Sequence, residues 1–388
     1  KKLSIMQIVT RVLLVLMLFS ASQFQINAQS EEDKHEAINL FNEAVKKYKA
    51  KDYAGSITVF TQSTEKDPSF AKAYYYMGLA RYNSKAYKEA MADFTKVIEI
   101  EADNVNAHYY KAYCAYKSKD YEEAILNFTN TIGLDAEHEK SFTNRGASYV
   151  KLKKYEEAIA DFDKSIELKP GQYLTHFRRA QTHQRMDYAD NAIADYSTVL
   201  ELKPSYVNAL NARAKLYLTQ NKLTESFADF TKYAEMKPKD TDGPFYCGVI
   251  KASENDYAAA IPFYTKALEI DPSDPKPMEK RAVAYYSTED FEACIADYNS
   301  LLDNNEEHDP NWFVMRANAK LKIDKFEEAL ADLNQSLELD PMNADSYYNR
   351  CRAYQKLENN DAACKDIQKA AELGHETAKG LVDSLCNS

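Results

Sequence analysis

Glycine is scarce, with nine in 388 residues. So little of it argues against an all-β or loop-rich chain, whose turns draw on glycine's conformational freedom. The sequence contains neither a GxGxxG nor a GxxxxGK phosphate loop, and it has no HExxH helix and no GxSxG elbow. Cationic excess is also missing: 49 Lys and Arg face 60 Asp and Glu, a net charge of −11, which excludes a general nucleic-acid binder. The six cysteines form no CxxC pair, so neither zinc nor thioredoxin-like chemistry is signalled. The seven histidines are scattered, and "HEAIN" at His35 and "EHEK" at His138 lack a second ligand at helical spacing. No metal, no cofactor and no nucleophile–base–orienter set can be assembled, so the expectation is a protein that is not an enzyme.

Long apolar runs are absent apart from "VLLVLMLF", residues 12–19, which follows Lys1, Lys2 and Arg11 and precedes the polar "INAQS". This order is that of an export signal over 1–28, cleaved after Ala28, with a short linker over 29–36. The run falls short of the roughly 20 residues needed to span a bilayer, so a retained anchor is the weaker alternative. The expected location is the periplasm or cell envelope of a Gram-negative bacterium, with a soluble chain after cleavage.

What the sequence has in abundance is tyrosine, 29 residues, and a repeat. From Ala37 a 34-residue period gives ten units, 37–70, 71–104, 105–138, 139–172, 173–206, 207–240, 241–274, 275–309, 310–343 and 344–374, the eighth longer by one residue. The eighth place of each unit is always small, from Ala44, Gly78 and Ala112 to Ala317 and Cys351, and so is the twentieth, from Ser56 and Ala90 to Ala363. Small residues at two such places let two helices cross closely, while Phe60, Phe94, Phe128, Phe162 and Tyr196 at the twenty-fourth fill the space beside the crossing. Pro68, Pro170, Pro204, Pro238, Pro272 and Pro341 stop the second helix.

Six units pair an Arg at the seventh place with an Asp at the twenty-third: Arg145 and Asp161, Arg179 and Asp195, Arg213 and Asp229, Arg281 and Asp297, Arg316 and Asp332, Arg350 and Asp366. Of the four units without that Arg, one keeps the Asp, Asp93 beside Met77. Places that vary together this way point to a structural ion pair, across the helix hairpin or to the next unit, with Arg chosen for its bidentate reach. "NFT" at Asn127 and "NQS" at Asn334 match a glycosylation acceptor but read as ordinary helix-surface residues.

The pattern resembles the tetratricopeptide repeat over nearly all of the chain beyond the leader. The resemblance implies an all-α fold, a right-handed superhelical solenoid of about ten helix-turn-helix units, with the first helices lining a concave groove for a peptide or a partner's surface. In that frame the fourth place turns into the hairpin, and the fifth, ninth and twelfth line the groove. Phe41, Tyr48, Tyr75, Tyr82, Tyr109, Tyr113 and Tyr116 then form an aromatic strip that either binds a partner or stiffens the solenoid, and Tyr76 and Tyr110 seal the seams between units. Further on, Lys140, Asn144, Arg178, Gln181, Arg185, Asn211 and Lys215 make a basic, amide-rich belt suited to peptide backbone or carboxylates. The two-carboxylate clamp for chaperone C-termini is absent, because its places hold Phe41 and Val45.

The expected function is therefore a protein–protein interaction scaffold holding a partner segment along the concave face. Alternatives are a scaffold subunit of an envelope assembly or secretion complex acting through the convex face, and a carbohydrate-binding module using the tyrosine strip. At the C-terminus Gly374 closes one helix, and 375–388 is expected to form a capping helix. Cys364 lies ten residues before Gly374 and Cys386 twelve after it. At 1.5 Å per residue they stand roughly 15 and 18 Å from the turn, level enough to bond. Cys114, Cys247, Cys294 and Cys351 are expected to remain thiols.

Overall fold

The computed structural model describes residues 30–386; the leader-like segment 1–28 lies outside them. The described residues form helices joined by short turns, with no strand among them. They fall into two compact units, up to Leu202 and from Lys203 on.

In the first unit a helix over 30–49 pairs with Tyr53–Lys66. The pairs that follow are Ala71–Asn83 with Tyr87–Ile100, Val105–Lys117 with Tyr121–Leu134, Glu139–Lys151 with Tyr155–Leu168, and Tyr173–Arg185 with Ala189–Leu202. In the second unit first helices begin at Val207, Asp242, Pro275, Pro310 and Ala344, each followed by a second. Inside the first unit Val105–Lys117 touches Glu139–Lys151, which touches Tyr173–Arg185, and successive second helices of the described residues make no comparable approach. Within the first unit the first helices therefore approach one another more closely than the second helices do.

The hairpins close because the eighth place is small. A methyl group added at Gly78 would lie 2.9 Å from the Phe94 ring, and one at Gly248 would lie 2.6 Å from Tyr264. Phe60, Phe94, Phe128, Phe162, Phe230, Tyr264 and Leu333 are buried beside these crossings. Between the two helices of every pair the chain passes through one left-handed residue, and none of the ten is glycine: Lys51, Lys85, Lys119 and Lys153 open the series at φ 59–66°. The turn is closed by two backbone bonds of the kind Lys51 N–H to Tyr48 O and Asp52 N–H to Lys47 O, a Schellman arrangement. Asp52, Asp120, Asp256 and Asp290 then cap the second helix by accepting a backbone N–H three residues on.

Two expected boundaries are corrected. The linker over 29–36 is, from residue 30, the opening of the first helix. Its acidic residues suit a helix N-terminus, and Lys66 of the paired helix reaches Asp33 at 3.6 Å and Glu36 at 2.7 Å. The single C-terminal cap helix is instead two short ones, Glu376–Lys379 and Val382–Cys386. The break falls at Gly380, a weak helix former, where Leu381 N–H bonds Ala378 O in a tighter turn. Cys386 is disulfide-bonded to Cys364, with Cα atoms 5.1 Å apart. Cys114, Cys247, Cys294 and Cys351 are buried thiols.

Candidate functional site

The six Arg–Asp pairs span the two helices of one hairpin. Arg145 donates through Nε and Nη2 to Asp161 at 2.8 and 2.7 Å, and Arg179 donates the same way to Asp195 at 2.9 and 2.6 Å. Arg213, Arg281, Arg316 and Arg350 repeat this fork on Asp229, Asp297, Asp332 and Asp366. Nη1 then reaches the second helix of the preceding repeat: Thr129 from Arg145, Asp163 from Arg179, Thr265 from Arg281, Asn299 from Arg316 and Asn334 from Arg350. Each of these arginines thus ties a hairpin together and joins it to its neighbour. At Asp195, burial opposes ionisation, but His176 and Arg179 outweigh it and hold the carboxyl below its usual range.

Sequence reasoning missed the partner of Asp93. It is Arg81, at the eleventh place, one helical turn beyond Met77. Lys320 occupies the same place and reaches Asp332 at 2.9 Å. The signal was available: an Asp kept at its place without the usual Arg calls for a cation on the same face, four residues on. Only one oxygen of Asp93 is met, and its buried Oδ2 has no partner. Burial pushes the Asp93 carboxyl up to about 7 despite Arg81. In the third repeat Asn127 is buried, not a surface residue, and donates to Glu123 at 2.7 Å.

The aromatic residues form a continuous layer of rings. Tyr76 lies 5.5 Å from Phe41 and 5.9 Å from Tyr48, and Tyr110 lies 5.7 Å from Phe94 and 6.1 Å from Tyr82, so both rings bridge to the preceding repeat. Phe41 is corrected: it is buried with Phe60 and Phe70 inside the first repeat, because its ring turns under Tyr76 instead of out onto the groove. Tyr48, Tyr75, Tyr82, Tyr109, Tyr113 and Tyr116 are half-buried. Tyr109, Tyr113 and Tyr116 stack along one helix with centroids 6.0 and 6.3 Å apart and planes within 11°. The Tyr48 and Tyr109 hydroxyls accept from Asn83 and Asn144, at 3.0 and 3.2 Å. Burial raises the phenol of Tyr75, and pushes that of Tyr109 up to about 12. A pocket of about 310 Å³ opens beside Tyr75 and Tyr76, edged by Lys72, Glu101 and Asn104.

The belt divides. In the first unit Arg178, Gln181 and Arg185 face a pocket of about 160 Å³ together with Lys151, over Val150 and Phe162, and Tyr116 also lines it. In the second unit Asn211 and Lys215 both donate to Asp242, at 3.1 and 2.9 Å, and the Lys215 ammonium lies 5.0 Å over the Tyr246 ring. Burial opposes the charge on Asp242, and the two donors overcome it, so its carboxyl titrates below the ordinary value. Asn211 and Lys215 are therefore joined to the adjacent repeat rather than presented as open groups. Asn144 is likewise engaged, by Tyr109, whereas Lys140 is exposed.

Comparison with known proteins places this geometry. A family model described as TPR repeat matches residues 317–358, and models described as tetratricopeptide repeat match 177–241, 248–274 and 344–373. The chain is a tetratricopeptide-repeat protein. A model for subunit 3 of the anaphase-promoting complex, or cyclosome, matches 49–131 and 83–165. The C-terminal part of a TPR repeat-containing protein from Cytophaga hutchinsonii superposes with a TM-score of 0.57 at 19% identity, over 62% of this chain and 98% of that one. A tetratricopeptide repeat protein from Parabacteroides merdae is also similar, with a TM-score of 0.44, 17% identity and coverage of 63% and 97%. A DnaJ homolog subfamily C member 3 homolog of Dictyostelium discoideum is 36% identical over 69 residues, 18% of this chain and 14% of that protein's length. The tetratricopeptide-repeat fold is in general a protein-interaction scaffold rather than an enzyme fold. No helix among the described residues is long and apolar enough to cross a membrane.

Proposed function

We propose that this protein holds a segment of a partner protein along the face formed by its first helices, with the first unit as the main contact. The observation that supports this reading most is continuity within that unit. The half-buried tyrosine layer of the first three repeats runs into the pocket bounded by Tyr116, Arg178 and Arg185, so apolar, hydroxyl and cationic contacts follow one another on one face. The setting proposed is an oxidising compartment outside the cytoplasm. The leader-like N-terminus supports it, as does the disulfide between Cys364 and Cys386.

Crosslinking in the native organism, with the crosslinks mapped by mass spectrometry, tests the reading. Partner crosslinks should concentrate on first-helix residues between Tyr75 and Arg185. Crosslinks confined to second helices would replace it with an assembly subunit that works through its outer face.

A further inference from the structure

We infer that the pocket bounded by Lys151, Arg178 and Arg185 receives a carboxylate side chain, so that the segment bound along the first helices is acidic. This rests on the groove reading above and specifies its partner.

The first argument is the state of the charges. Lys151, Arg178 and Arg185 make no ion pair with any described residue, although acidic residues outnumber basic ones by 60 to 49 in the chain. No acidic residue lines the pocket. The six arginines at the seventh place, by contrast, are each met by a carboxylate in a two-bond fork. Three like charges around one small opening repel one another, and a carboxylate placed among them removes that repulsion while gaining charge-assisted hydrogen bonds.

The second argument is shape. At about 160 Å³ the pocket has room for one side chain and not for a helix, and its cationic lining rather than its volume favours a carboxylate over an aromatic ring. Its cationic rim stands over an apolar floor of Val150 and Phe162, and Gln181 adds an amide at the rim. A carboxylate on a methylene stem satisfies both parts, with the stem on the floor and the oxygens between the guanidinium groups. A free inorganic anion would leave the floor uncovered. Lys215 offers no second such site, since Asp242 already holds it.

Selection from a displayed library of short random peptides, on immobilised wild-type protein at physiological salt, tests the inference. Selected peptides should be enriched in Asp and Glu. A representative one should bind the double variant Arg178→Gln, Arg185→Gln at least about tenfold more weakly, and Lys215→Gln no more weakly than wild type. Both mutated arginines stand on the open face, so the double variant should melt with the wild type. Enrichment of peptides without acidic residues would overturn the acidic pocket and leave the groove standing. Acidic enrichment that survives in the double variant would also overturn it. If nothing is selected, both readings fall.

Discussion

Arg178 and Arg179 are neighbours in the chain, and the two regions they enter treat them in opposite ways. Arg179 turns into the cleft between the helices of its hairpin, where it forks onto buried Asp195 and reaches Asp163 at 2.6 Å. Arg178 turns to the first-helix face, where it borders a pocket without a carboxylate. Cations in the cleft are matched because an unpaired charge there would lack both water and a counter-ion. On the open face water screens the charge, so an unmatched cation is tolerated and remains available to a partner. Residue type therefore does not say what an arginine does in this protein; its place in the repeat does.

The largest effect that could break this contrast is on stability. Arg179→Ala should destabilise the protein by about 3–5 kcal/mol, because it leaves the Asp195 carboxylate buried without its fork. Arg178→Ala should change stability far less, by no more than about 1 kcal/mol, because the side chain is half-buried and holds no ion pair. Denaturant unfolding of the two single variants makes the comparison, and equal midpoints would show that the cleft and the face are not distinct environments.

Within the cleft the contrast can be sharpened by pH. Asp93 has one oxygen on Arg81 and one without a partner, and it is also near Glu89. Its folded pKa of about 7 lies above the ordinary value near 3.8, so between those limits the native state binds more protons than the unfolded one. Stability contributed by this group is therefore present at acid pH and lost as pH rises through about 7. Asp195 is depressed and acts in the opposite direction, contributing stability at neutral pH that is lost as pH falls through its folded value. Asp93→Asn should stabilise the protein at pH 8 by roughly 1–3 kcal/mol, the cost of an unsatisfied buried polar group, and by much less at pH 4. Thermal melts across that range check it. A gain that does not depend on pH would show that the carboxylate is not the source of the cost.

The repeat was legible in the sequence because its constraints are steric and periodic. At Gly78, Gly146 and Gly248 a ring of the paired helix lies less than 3 Å from any added methyl, and the same place holds a small residue in every unit. The Arg–Asp forks were legible for the same reason, as covariation between two places. The pairing of Cys364 with Cys386 could be read from helix rise about Gly374, although the break at Gly380 means that the rise describes only the first of the two segments after that turn. What could not be read depends on which way a side chain turns between equal options. Phe41 and Tyr75 share a place, yet Phe41 is buried in the core and Tyr75 is half-buried in the ring layer. The neutralisation of Lys215 required knowing that Asp242, 27 residues away, faces it across a repeat seam. The inter-helix turns gave no glycine signal either, since Lys119 sits at φ 66° where glycine would be at ease. Lys119→Gly should therefore leave the fold intact and raise stability by up to about 1 kcal/mol, read by thermal unfolding. A loss would mean that the lysine stem contributes more than the backbone strain costs.

The smallest effect concerns the intermediate case, a cation on the first-helix face that does have a carboxylate. Lys215 and Asp242 are each about two-fifths exposed, at 41% and 38%, so solvent screens their attraction. Asp242→Asn should cost no more than about 1 kcal/mol, far below the effect at Arg179, and should leave Lys215 as open as Arg178 is now. Because the pair is partly in water, that cost should shrink further at 1 M salt, where the Debye length is about 3 Å, whereas the cost of Arg179→Ala should persist. Melts of both variants at low and high salt separate the two regions. If the loss at Asp242 persists undiminished in salt, the pair behaves as a cleft contact, and the line between matched interior cations and available surface ones must be drawn elsewhere.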